Sequence, residues 1–164
     1  MSPISVTMLG TASAVPFSDR NPSAQALSVR GRLYLLDCGE GTQQRIRQEH
    51  LSFVKIQAIF ISHIHGDHIF GLYGLISTMS LYHRTEALTI VGPEDLRPIL
   101  DFFKSTFGAD LSFPLEFLSI SPEEPQKVYS DGDVKVLAFP LRHGIPCFGY
   151  RIEEELGPRS GHVK

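Results

Sequence analysis

The chain has 164 residues, of which 42% are hydrophobic and 20% are charged, and its formal net charge is −3. This length fits one domain or a part of a larger one, and the composition excludes a disordered or collagen-like chain. Fifteen basic residues against eighteen acidic ones argue against a protein that coats nucleic acid through a uniformly basic surface. An enzyme that holds a nucleic acid through a local basic patch stays open.

The first half of the chain predicts strands with one short helix between them. Apolar alternation and apolar runs predict strands over residues 4–9, 24–29, 33–36 and 56–61. Gly31 marks a hairpin turn between the second and third of these, and Gly39 and Gly41 end the third. Residues 42–50 have helical composition. The run Ile56–Ile61 is apolar almost throughout, which predicts a strand buried on both faces.

The second half predicts two helices and then strands. A helix over 69–82 carries apolar residues nearly all round and is expected to be mostly buried, and a second helix over 96–107 ends at Gly108. The predicted strands cover residues 88–91, 115–120, 126–129, 134–139 and 147–152, with a turn at Asp131-Gly132. We expect a domain over 1–152, and a loop or the start of a flexible arm over 153–164. About nine strands and four helices indicate an α/β protein with mixed sheets.

No run in the sequence approaches the ~18 apolar residues of a membrane span. The first residues, Met1 to Val6, carry neither a positive patch nor an apolar signal core. We therefore expect a cytoplasmic protein with no membrane partner. Cys38 and Cys147 lie in apolar strand-like runs and are expected to be reduced core cysteines.

Four groups with metal-ligand chemistry, His63, His65, Asp67 and His68, lie within six residues. They follow a buried strand and precede a helix, and open α/β sheets bind their ligands at that end of a strand. Imidazole and carboxylate are ligands of zinc or a similar metal. His63 and His65 are placed to address one ion, and Asp67 with His68 a second. The absence of cysteine from this cluster argues against a closed structural zinc site.

His143 occupies a similar position, just beyond the strand 134–139, and is the next candidate ligand. His50 and His83 lie in polar helix ends and are interpreted as solvated. His162 lies in the tail without supporting context.

The pattern His63-x-His65-x-Asp67-His68 after an apolar strand resembles the H-x-H-x-D-H motif of the metallo-β-lactamase superfamily. The segments around it resemble ribonuclease Z more specifically. These segments are Met8-Leu9-Gly10-Thr11 with Pro16, Asp37-Cys38-Gly39-Glu40-Gly41-Thr42-Gln43, Ser62 to Leu72, Ser77-Thr78-Met79, Val91-Gly92-Pro93-Glu94 and His143 to Arg151. Because the matches are collinear from residue 4 to 152, they are more specific than the histidine motif alone.

The resemblance implies a four-layer αββα sandwich, of which this chain would be the N-terminal half. It also implies a homodimeric, zinc-dependent endoribonuclease that removes the 3′ trailer from tRNA precursors. His63, His65 and His143 would bind one zinc ion, and Asp67 with His68 the other. Asp67 would also transfer a proton. Asp37 would either orient the ligands or cap the glycine turn that follows it.

The sequence departs from the family pattern in its ligand count. The family's two-metal site needs a bridging aspartate and a further histidine, but no Asp follows Asp133 and only His162 follows His143. The second metal site is therefore incomplete in this chain, and the chain itself is expected to have little activity. Gln44 stands where many relatives have histidine. Gly157-Pro158-Arg159 would correspond to the start of the family's tRNA-binding arm.

Two other functions stay open. One is a different phosphodiesterase or hydrolase of the metallo-β-lactamase fold, which shares the histidine motif. The other is an inactive, metal-binding fragment. Half of a sandwich is also expected to leave the second face of its sheet uncovered, so that another copy or further chain must bury it.

Overall fold

The computed structural model describes residues 4–108 and 111–155. Within these residues it contains nine strands, as the sequence predicts, and four α-helices, two of which lie in and around the single predicted helix over 69–82. The strands are β1 (Ser5–Gly10), β2 (Ala24–Val29), β3 (Arg32–Leu36), β4 (Ile56–Phe60), β5 (Leu88–Pro93), β6 (Leu115–Ile120), β7 (Gln126–Ser130), β8 (Val134–Pro140) and β9 (Phe148–Glu154). The helices are α1 (Thr42–Gln48), α2 (Gly66–Ile69), α3 (Leu72–Leu81) and α4 (Arg97–Phe107), with short 3₁₀ turns at Phe53–Lys55 and Glu94–Leu96.

The strands form two sheets, one mixed and one antiparallel. The large sheet has the order β1-β2-β3-β4-β5-β6, and the small one has the order β7-β8-β9. In the large sheet the pairs β1–β2 and β2–β3 are antiparallel, whereas β3–β4, β4–β5 and β5–β6 are parallel. Helices connect the parallel strands, because such strands need a crossover. The predicted α/β class is confirmed.

The hairpin turns lie where the glycines predict them. Between β2 and β3 the chain turns at Arg30 and Gly31, which have φ values of 50° and 81°. A two-residue turn of this kind needs left-handed backbone, which glycine adopts without steric cost. Gly132, with φ of 86°, plays the same part between β7 and β8.

Two apolar clusters lie on the two faces of the large sheet. On one face, side chains of α1, α3 and α4 pack against the sheet, and Ile59 of β4 belongs to this cluster. On the other face, Phe60 and Val91 are fully buried with Val136 and Ala138 of the small sheet. The expectation that this second face needs another copy or further chain is therefore wrong for the central strands, because β7, β8 and β9 already cover them. Helices, large sheet and small sheet make three layers, and the outer helical layer of the predicted sandwich has no counterpart in residues 4–108 and 111–155.

The predicted helix over 69–82 begins earlier and is interrupted. The break falls at Phe70 and Gly71, between α2 and α3. Gly71 donates its N–H to Cys38 O at 2.9 Å, and a Cβ at this position would lie 2.2 Å from Gly39 O. This close approach of two backbone segments requires glycine. Five of the ten residues of α3 are buried and Leu81 is exposed, so the expectation of a mostly buried helix holds for the face that packs on the sheet.

Near the end of the described residues, β9 continues to Glu154, two residues beyond the predicted domain boundary. The extension pairs with β8, where Val134 faces Glu154 in the antiparallel register. Residues 156–164, including Gly157-Pro158-Arg159 and His162, lie outside the described residues. Among the helices that are described, none is long and apolar enough to cross a membrane.

Arg84 is a buried cation at the amino ends of β4 and β5. Its side chain is 2% exposed. The guanidinium donates hydrogen bonds to the carbonyls of Val54 (3.2 Å), Ile56 (2.7 Å), Glu86 (2.6 Å) and Ala87 (2.6 Å). One planar group with five N–H donors thus fixes the loops that enter two neighbouring strands.

We expect Arg84→Met to lower the free energy of unfolding by about 2–4 kcal/mol, because it leaves buried carbonyls without donors. Urea denaturation measures this change. Arg97→Met is the matched control, since Arg97 lies on the surface, and its unfolding midpoint should stay close to that of the original chain. Equal midpoints for the two variants would contradict the role of Arg84 in fixing these loops.

Candidate metal centre

His63, His65 and His143 come together where the two sheets meet. His63 and His65 follow β4 of the large sheet, whereas His143 follows β8 of the small sheet. Phe148 donates its N–H to Ser62 O at 2.9 Å, which joins the loop that carries His143 to the loop after β4. The structure thus brings His143 to His63 and His65, which precede it by 80 and 78 positions in the sequence.

The spacing of these three imidazoles fits a metal ion. His65 Nδ1 lies 3.3 Å from His143 Nε2, and one ring nitrogen from each of the three histidines lies within 4.8 Å of the others. Two nitrogens that bind a tetrahedral zinc ion at about 2.0–2.1 Å are about 3.3 Å apart. His65 and His143 already have that spacing. The assignment of the three histidines as ligands stays a prediction.

Asp37 organises the residues around this cluster. It directly follows β3, is 7% exposed and adopts a left-handed φ of 57°. Its Oδ1 accepts the N–H of Ser62 at 2.8 Å. Its Oδ2 accepts the hydroxyls of Ser23 (3.2 Å) and Ser62 (3.1 Å) and lies 2.7 Å from His68 Nδ1. Of the two alternatives for Asp37, the structure favours the one in which it orients neighbouring side chains, because it contacts His68 and Ser62.

The hydrogen bonds of Asp37 set the protonation of His68. An ionised carboxylate can only accept, so His68 Nδ1 must carry the proton that joins it to Asp37. The other ring nitrogen, His68 Nε2, does not take part in this bond and lies 3.6 Å from Asp67 Oδ2. Burial would lower the pKa of His68, but the hydrogen bond and charge of Asp37, together with the charge of Asp67, raise it above its usual value.

His63 is neutral at physiological pH. It is 7% exposed, and burial, assisted by the nearby His68, lowers its pKa to about 4. The Ser62 hydroxyl gives its one hydrogen to Asp37, so its oxygen accepts from His63 Nδ1 at 2.9 Å. The lone pair on His63 Nε2 is left for a ligand. Neutral imidazole is the form that binds metals.

Asp67 lies next to His68 at the start of α2 and is held by a distant backbone group. Ala14 donates its N–H to Asp67 Oδ2 at 2.8 Å. Burial would raise the pKa of Asp67, but this hydrogen bond and the neighbouring His68 lower it, so the carboxyl is ionised. Asp67 and His68 therefore present an oxygen and a nitrogen side by side, and their assignment to a second ion stays a prediction.

Cys147 lies at the cluster rather than in the core. Its sulfur is 3.8 Å from His63 Nδ1, and its side chain is partly exposed. Both described cysteines are free, as expected, and burial raises the pKa of the Cys38 thiol to about 12. The expectations that Cys147 is a core residue and that no cysteine lies near the histidines are wrong, because the loop before β9 folds back over β4.

The sequence does not reveal all the residues that support the site. Ser23 lies in no motif, Ser62 lies in the histidine motif but has no ligand chemistry of its own, and Ala14 contributes only its backbone N–H. Their common signal is position, since each lies in a loop beside a strand end. His50 and His83 are exposed and lie outside the cluster, as predicted.

Comparison with protein families identifies the chain. A family model described as "Anti-Pycsar protein Apyc1" matches residues 4–145. The chain belongs to this family. The matched stretch contains all five predicted ligands, from His63 to His143.

Curated relatives confirm the predicted resemblance to ribonuclease Z. The chain is 42% identical over 159 residues to "Ribonuclease Z" of Porphyromonas gingivalis, a match that covers 97% of this chain and 52% of that protein. It is 41% identical over 149 residues to "Ribonuclease BN" of Erwinia tasmaniensis, covering 89% of this chain and 48% of that protein. The chain thus spans about half the length of these relatives.

Solved structures show the same fold. The human short-form tRNase Z superposes with a TM-score of 0.84 at 34% identity, and the match covers 91% of this chain and 64% of that one. The metallo-β-lactamase fold protein YhfI of Bacillus subtilis gives a TM-score of 0.71 at 22% identity, covering 90% of this chain and 56% of that one. The predicted metallo-β-lactamase-like fold is confirmed.

We expect Asp37→Asn to lower the pKa of His68 in the metal-free protein. The amide lacks the charge that raises this pKa, while burial, which lowers it, stays in place. Histidine ring-proton NMR should place the His68 midpoint above about 6.5 in the original chain and below it in the variant.

Glu40→Gln is the control for this titration, since Glu40 is an exposed carboxylate close in sequence to Asp37. It should leave the His68 midpoint unchanged. An unchanged midpoint in Asp37→Asn would show that Asp37 does not hold the His68 proton.

Proposed function

We propose that the chain carries the metal-binding part of a zinc-dependent endoribonuclease that removes the 3′ trailer from tRNA precursors. The observation that carries the proposal is the gathering of His63, His65 and His143 beside the pair Asp67 and His68. The relatives named ribonuclease Z support the choice of substrate. The activity of those longer proteins is extended to this chain only as a proposal.

Each residue has a defined role in this proposal. His63, His65 and His143 would hold one zinc ion, and Asp67 with His68 would contribute to a second. Bound zinc lowers the pKa of a water molecule to about 7 and offsets negative charge on a phosphodiester. The carboxylate of Asp67 is ionised and would accept a proton from this water molecule. Asp37 keeps His68 Nε2 directed at Asp67.

The ligand count limits what this chain does alone. The chain spans about half the length of its relatives, and Asp67 with His68 offers only two side chains to a second ion. We therefore propose that the chain binds one ion well and hydrolyses its substrate slowly.

We further propose that the protein is a cytoplasmic homodimer. Ile4, Val6 and Met8 are exposed along one side of the edge strand β1 and its start. Their alternate spacing places them on one sheet face. An apolar row at a sheet edge is suited to contact with a second copy.

Cleavage of a tRNA precursor with a 3′ trailer tests the proposed function. We expect slow, zinc-dependent cleavage at the base of the trailer, which falls to background in His63→Ala and Asp67→Ala because each removes a ligand. His83→Ala, an exposed histidine outside the cluster, is the control and should retain the rate.

The same assay separates the alternatives. Hydrolysis of bis(p-nitrophenyl) phosphate without cleavage of the tRNA precursor would favour a small-molecule phosphodiesterase. One bound zinc ion with neither reaction would favour an inactive metal-binding fragment. Rapid turnover of the tRNA precursor would contradict the proposal that this chain alone hydrolyses its substrate slowly.

A further inference from the structure

An exposed aromatic ring lies beside the candidate metal centre. Phe70 directly follows α2, which carries Asp67 and His68, and its side chain is 72% exposed. A single exposed phenylalanine is common on protein surfaces and by itself indicates nothing. Phe70 differs from such a residue in two respects: its ring is held against the metal-binding loop, and it stands between two pockets.

The ring of Phe70 is fixed against the metal-binding loop. Gly66 lies between His65 and Asp67, and a Cβ at this position would be 2.2 Å from Phe70 Cζ. The ring therefore fills the space that the missing side chain leaves. Phe70 also donates its N–H to Gly66 O at 2.9 Å. Both contacts are to Gly66, so the ring of Phe70 lies next to the residue that separates the predicted ligands His65 and Asp67.

Phe70 stands between two pockets of different chemistry. One pocket, of about 310 Å³, is apolar and is lined by Phe70 with Ile69, Tyr73 and Ile99. The other, of about 190 Å³, is lined by Phe70, Gly41, Gln43, Gln44, Gly71 and Gly74. The two glutamine amides offer both donors and acceptors of hydrogen bonds. A flat apolar face beside amide groups suits a nucleobase, which combines a π-face with polar edges.

Two exposed arginines lie in chain segments that adjoin the metal centre, and cations suit a phosphodiester chain. Arg142 is exposed and directly precedes His143. Arg20 is exposed on the segment that follows Ala14, and its guanidinium lies 5.6 Å from the ring centroid of Phe17. Because Ala14 is hydrogen-bonded to Asp67, this segment also adjoins the metal centre. Cations and exposed aromatic rings are the combination that binds single-stranded nucleic acid.

We propose that Phe70 forms a stacking subsite for a base that flanks the phosphodiester cleaved at the metal centre, with Gln43 and Gln44 at the edge of that base. The proposal rests on the proposed function for its substrate class, single-stranded RNA. Stacking on an aromatic ring tolerates every base, so the subsite positions the substrate and does not select a sequence. Phe70 is thus a positioning residue, and binding at this subsite does not need the metal.

Fluorescence of 2-aminopurine tests the subsite without catalysis. The probes are two short RNAs that span a trailer junction, each with 2-aminopurine at one of the two nucleotides that flank the cleavage site. They are titrated with the full chain in EDTA. We expect quenching for at least one probe, and about tenfold weaker binding of that probe to Phe70→Ala.

The variants separate stacking from other effects. Phe70→Leu keeps an apolar side chain without a π-face and should behave like Phe70→Ala, whereas Phe70→Trp should restore quenching. Phe107→Ala is the control, because Phe107 is 60% exposed but lies at the far end of α4 from Ile99. It should bind like the original chain. Circular dichroism confirms that each variant is folded.

Three results would overturn the proposal. One is the absence of quenching with either probe, and another is equal quenching by the original chain and Phe70→Ala. In that second case, a change in sedimentation of Phe70→Ala would make this surface a contact between copies. The third result is cleavage of a tRNA precursor that does not depend on Phe70, which would overturn the subsite alone. Phe70-dependent quenching without any cleavage would contradict the proposed function and leave the subsite intact.

Discussion

One buried carboxylate determines the geometry of the candidate site. Asp37 accepts four hydrogen bonds, from Ser23, from the backbone and hydroxyl of Ser62, and from His68. A buried charge is costly unless it is paired and hydrogen-bonded, so these partners have little freedom to move. Through Ser62 and His68 the same carboxylate fixes which nitrogen of His63 and His68 is protonated. Without it, both nitrogens that the site needs would lose their orientation.

The fold brings these groups together because of how its strands run. β3 and β4 are parallel neighbours, so the residues after them, Asp37 and Ser62, emerge at the same edge of the large sheet. The small sheet then adds His143 from its own strand end, through the hydrogen bond of Phe148 to Ser62. The candidate centre therefore spans two sheets. The site is therefore complete only when the small sheet is packed onto the large one.

Local sequence patterns predict much of this arrangement, but they do not predict the features that depend on contacts between distant parts of the chain. The strands, the hairpin at Gly31 and the cluster from His63 to His68 are encoded within a few residues, so they could be read directly. The break at Gly71 could not, because its cause is a backbone segment more than thirty positions earlier, at Gly39. Ala14 acts through a backbone N–H, which leaves no side-chain signal. The place of Cys147 depends on a loop that folds back over β4.

Local sequence patterns also do not predict which residues pack against the second face of the large sheet. An apolar strand such as β4 shows that both its faces are buried, but it does not show what buries them. The chain itself supplies the cover, with Val136 and Ala138 against Phe60. Ile4, Val6 and Met8 at the edge strand are not covered in the same way. These three side chains form one apolar row that a second copy could bury.

Anomalous diffraction at the zinc absorption edge tests most directly whether the three histidines form a metal site. Crystals of the chain grown with one equivalent of zinc should show one strong anomalous peak in contact with His63, His65 and His143. The same crystals of His63→Ala should lose most of that peak. A strong peak elsewhere on the chain, with none among these three histidines, would contradict their assignment as the metal ligands.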